Sequence, residues 1–62
     1  MTIYAKEELQ EALSAIISTI SKCEKVMPKL KENSAQQTLL KRRIKALQIS
    51  VDLIERELSK EH

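Results

Sequence analysis

The residues able to do chemistry are few and far apart. There is one thiol, Cys23, and one imidazole, His62, at opposite parts of the 62-residue sequence. A nucleophilic cysteine needs a base or a positive field to hold it as thiolate, and no histidine stands near Cys23 in sequence. A lone cysteine closes no disulfide within the chain. One Cys and one His are also too few for a structural zinc site, which takes four such ligands. The carboxylates Glu7, Glu8, Glu11, Glu24, Asp52, Glu55 and Glu57 all fall off the periodic apolar positions described below. That spacing excludes the inward-facing Glu and Glu-x-x-His sets of di-metal bundles. With no glycine, the chain lacks the phosphate-cradling loops and nucleophile elbows that need close backbone approach. Tyr4 is the only aromatic residue, so a base-stacking platform is absent. The expectation is a non-enzymatic protein with no catalytic residues, no metal and no cofactor.

The basic residues offer one other kind of chemistry. Lys41, Arg42, Arg43 and Lys45 form a cluster, and Lys22, Lys25 and Lys29 recur at helical spacing. Such a patch can contact phosphates and would enlarge if the chain were duplicated. The alternative function is therefore a small nucleic-acid-binding regulator. Against it stand the modest net charge of +2 and the lack of any base-reading motif. The plainer reading of the same residues is a solvated basic surface or a contact between subunits.

Two segments carry helical periodicity. Leu9, Leu13, Ile16, Ile20, Cys23, Met27 and Leu30 form one row, spaced alternately four and three apart. Leu40, Ile44, Leu47, Val51, Ile54 and Leu58 form the other. Both are a/d seams of the coiled-coil type. The spacing predicts helix 1 over about 3–31, starting near Thr2 or Ile3, with Thr2 as a candidate cap. Pro28 should either kink this helix or break it before one further turn. A loop is expected over about 32–34, with Asn33 taking the left-handed position in place of glycine. Ser34 and Gln37 have capping-box spacing for helix 2, over about 35–60. Antiparallel pairing of Met27 with Leu40, Ile20 with Leu47 and Leu9 with Leu58 makes every pair equidistant from a point between Asn33 and Ser34. The seams and the turn residues thus choose the same loop. The fold class is all-α: residues 1–62 form one antiparallel two-helix hairpin.

One hairpin is a small object. A chain of this length buries only about 60% of its unfolded surface. Without disulfide or metal, regular helix packing or oligomerisation must supply the rest. The sequence has apolar residues to spare for this. Ala5, Ala12 and Val26 flank the first seam on one side and Ile17 on the other. Leu39, Ala46 and Leu53 form a second row on helix 2, with Ile49 between them. Residues 12–21 and 46–51 carry no charge, so an uncharged waist crosses the hairpin. Tyr4 is expected to cover the open end.

Charge is polarised along the same axis. Residues 22–45 set eight bases against two acids, net +6, while the remainder sets three bases against seven acids, net −4. Within one hairpin, like charges are neighbours at both ends. A second hairpin laid antiparallel would put each basic tip beside an acidic open end. The expectation is a homodimeric four-helix bundle, or a higher oligomer, with Ala12, Ile17, Leu39, Ala46, Ile49 and Leu53 at the subunit interface. The same amphipathic faces would also suit a protein partner. The longest apolar runs are three residues, which excludes a membrane span and, with one free thiol, suggests a soluble cytoplasmic chain.

Overall fold

The computed structural model describes residues 3–60. Helix α1 spans Lys6–Val26, a 3₁₀ turn occupies Met27–Lys29, and helix α2 spans Ala35–Ser59. The two helices pack side by side as a hairpin of 45 × 19 × 16 Å, and no strand occurs among the described residues. The length follows from α2, whose 25 residues extend about 38 Å at 1.5 Å each.

Helix α1 starts later than its periodicity predicts. Residues 3–5 are not helical, and Ala5 is extended at the cap position. Thr2, the candidate cap, lies outside the described residues. Ala5 has no side-chain acceptor, so it cannot cap in the usual direction. Instead the Glu8 carboxylate accepts the Ala5 N–H at 3.1 Å, which is the returning half of a capping box. Glu7 and Glu8 also place negative charge in the first turn, where the helix dipole favours it.

Pro28 ends the α-helix rather than kinking it, so α1 stops short of Lys31. Proline has no N–H to reach the Glu24 carbonyl, and its ring crowds a continuing α-turn. It sits instead in the first turn of the 3₁₀ segment, where a missing donor costs nothing. Leu30 N–H closes this turn on the Met27 carbonyl at 3.2 Å, after which Leu30 is extended. In 3₁₀ geometry residues three apart are eclipsed. Leu30 therefore stays in line with Met27, and the seam crosses the end of the α-helix without losing phase.

The connection uses the residues expected of it. Ser34 N–H bonds the Lys31 carbonyl at 3.1 Å across a turn whose third residue, Asn33, has φ 61°. Asn33 is the one non-glycine residue with positive φ among those described. Ser34 Oγ then caps α2 by accepting the Gln37 N–H at 3.1 Å. The Gln37 side chain reaches back to the Asn33 N–H at 2.9 Å, not to Ser34, whose own N–H is already bonded to Lys31. One side chain thus ties both the left-handed residue and the cap.

Every member of the two periodic rows, from Leu9 to Leu30 and from Leu40 to Leu58, is half-buried, Cys23 included. No described residue is fully buried. The apolar interior is therefore a single seam, covered by one helix on each side and open along both edges. Tyr4 does not cover the open end: it is 55% exposed, beside Ile3 at 88%. Neither helix is long and apolar enough to cross a membrane.

Candidate functional site

Two helices that share one seam leave two wide faces, one on each side of it. At 100° per residue, the positions just before Leu13, Ile20 and Met27 fall on one flank of α1 and those just after Ile16 and Cys23 on the other. Antiparallel packing then brings like flanks together.

The first face carries Ala12, Thr19 and Val26 from α1, with Glu8, Ala15, Lys22 and Lys29 along its outer edge. From α2 it carries Arg43, Ser50 and Glu57, with Leu39, Ala46 and Leu53 along the outer edge. Val26, Leu39 and Leu53 are exposed at 44, 49 and 56%. The two hydroxyls at the centre of this face turn back onto their own helices. Thr19 Oγ1 donates to the Ala15 carbonyl at 2.9 Å, and Ser50 Oγ donates to the Ala46 carbonyl at 3.0 Å. Such bonds satisfy both hydroxyl donors within their own helices.

The second face has a different character. It holds an open groove of about 400 Å³ lined by Ile17, Ile20, Lys45, Gln48, Ile49, Val51 and Asp52. Ile17 and Ile49 are as exposed as the apolar residues of the first face, yet charged and amide side chains line the groove with them. Ile17 and Gln48, which follow the seam residues Ile16 and Leu47, both line it, as expected when like flanks of antiparallel helices lie together.

The six residues expected at one interface are therefore divided. Ala12, Leu39, Ala46 and Leu53 share the first face, while Ile17 and Ile49 both line the groove of the second. All six are exposed in the single chain. Thr19 and Ser50 escaped the sequence reading, although an alanine four residues before each is visible and gives the back-bond room.

The basic set Lys22, Lys25, Lys29, Lys41, Arg42, Arg43 and Lys45 is exposed throughout and lies in the loop half. None of these side chains is ion-paired among the described residues, where Glu57–Lys60 at 3.5 Å, within one turn of α2, is the one salt bridge. No ion pair joins the two helices there, as expected when like charges are neighbours. No described group of three or more His, Cys, Asp or Glu residues is placed to hold a metal. Cys23 is a half-buried free thiol in the seam, and His62 lies outside the described residues. Compared with protein-family models, curated proteins and solved structures, the chain has no match in any of the three.

Proposed function

We propose that this chain is a non-enzymatic interaction protein whose working form is a homodimer, two hairpins closing into a four-helix bundle that engages another macromolecule. The observation that carries this reading is the missing core: two helices with complete seams bury no described residue fully. Folded domains retain a net stability of about 5–15 kcal/mol after a large entropic cost. Full burial of a Leu, Ile or Val side chain contributes roughly 1.5–3 kcal/mol, and half-exposed ones realise only part of that. A second hairpin would cover one open edge of the seam and a row of exposed side chains together. Sedimentation equilibrium at micromolar concentration tests this. The expected species has twice the 7.1 kDa chain mass, and a fully helical monomer of 7.1 kDa would overturn the proposal.

A second reading rests on the loop half. Its net charge of +6 is exposed, and among the described residues no acid of the facing helix pairs with it. This supports phosphate binding, as in a small nucleic-acid-binding regulator. Retardation of duplex or single-stranded nucleic acid that falls steeply with salt is the expected result. Absence of retardation at low salt removes this reading and leaves the first intact.

A further inference from the structure

We infer that the second copy docks on the face of Ala12, Val26, Leu39, Ala46 and Leu53, with its basic loop end over the acidic open end of the first copy. The inference rests on the homodimer proposed above and adds which face closes and in which direction.

Three observations choose the face. Small uncharged side chains, Ala12, Ala15, Thr19, Ala46 and Ser50, fill its middle, so a second pair of helices can approach closely there. Its central polar groups are already satisfied, since Thr19 and Ser50 donate to their own helices. Covering them leaves no orphaned hydroxyl donor. The opposite face lacks this property. Lys45, Gln48 and Asp52 line its groove and would need new partners once water left.

Charge chooses the direction. Face-to-face hairpins have two symmetric arrangements, with loops at the same end or at opposite ends. The first stacks the +6 half on another +6 half, and the second stacks it on the −4 half. Opposite ends also place α2 antiparallel to its own copy, with the two-fold axis near Ser50. Arg43 and Glu57 stand equidistant from Ser50 on the same flank. Along one helix they are about 21 Å apart, too far to pair within a chain. Across the two-fold axis Arg43 meets Glu57 of the partner subunit, and the contact occurs twice. This is the self-complementarity that an isologous interface requires.

Paired charge reversals test both the face and the direction. Arg43→Glu alone and Glu57→Arg alone each set like charges together at both contacts. Each should weaken self-association by roughly tenfold or more. Mixed in equal amounts, the two variants face opposite charges at both contacts, so a heterodimer of near wild-type affinity is expected. Lys41→Glu and Glu55→Lys make the same changes in charge on the opposite flank, and their mixture should show no such preference. Recovery in the Lys41/Glu55 mixture but not in the Arg43/Glu57 mixture would overturn the choice of face. A dimeric wild type with no recovery in either mixture would overturn the direction while leaving the homodimer standing. A monomeric wild type would sink both. Ser50→Cys in a Cys23→Ala background provides an independent readout. A short bis-maleimide should link it into covalent dimers, and linkage of Gln48→Cys instead would contradict the assignment.

Discussion

Leu53→Ala isolates the apolar contribution of the proposed interface. Leu53 is 56% exposed in the single hairpin, so about half of its burial is still available. With roughly 1.5–3 kcal/mol for complete burial, that half is worth about 1 kcal/mol per copy. The two-fold axis presents the side chain twice, giving about 2 kcal/mol per dimer. Imperfect closure of the space left behind raises this toward about 3 kcal/mol. At 1.4 kcal/mol per tenfold, the dissociation constant should rise by about thirtyfold to hundredfold. Alanine is the best helix former, so weakened helix propensity cannot explain such a loss. Sedimentation equilibrium over a dilution series measures it, with circular dichroism confirming helix content at the highest concentration. Ile17→Ala removes a side chain of similar exposure, 51%, from the opposite face and should change the constant by less than about threefold. A Leu53→Ala constant within twofold of wild type, or an equal effect of the two substitutions, would refute the reasoning.

Asn33→Val forces a β-branched residue to φ 61° and should cost about 1–2 kcal/mol, whereas Asn33→Gly should be close to neutral; denaturant midpoints at one fixed chain concentration compare them. Ser34→Ala removes the acceptor for the Gln37 N–H and should cost about 1 kcal/mol by the same measurement. Raising the salt concentration from about 0.1 to about 1 M shortens the screening length from about 10 to about 3 Å. Because opposite charges meet across the proposed interface, association should weaken with salt, as light scattering can follow.

The hairpin is legible in the sequence because apolar periodicity and turn chemistry agree on it independently. The half-buried rows are those that the four-three spacing selects, from Leu9 through Leu30 and from Leu40 through Leu58. Asn33 and Ser34 mark the loop because few residues tolerate a left-handed φ and few cap a helix well. The helix ends are less legible. The seam continues in phase through Met27 and Leu30, which hides the change to 3₁₀ geometry that Pro28 imposes. At the other end, the helix begins behind a residue with no side-chain cap, held by the reach of Glu8. The division of the spare apolar residues between two faces depends on the angle of each flank to the facing helix. Ile17 and Ile49 therefore share a groove that a list of extra apolar positions does not show. The back-bonds of Thr19 and Ser50 depend on rotamers, and composition makes those hydroxyls look merely polar.

The central claim is that one chain holds only half of a core, so folding and association are coupled. Thermal unfolding followed by circular dichroism over a hundredfold range of chain concentration tests it most directly. Mass action then requires Tm to rise with concentration, because a partner that binds only the folded chain stabilises it. A rising Tm across the series is the expected result. A cooperative transition whose Tm stays fixed while the species remains at 7.1 kDa would contradict the account.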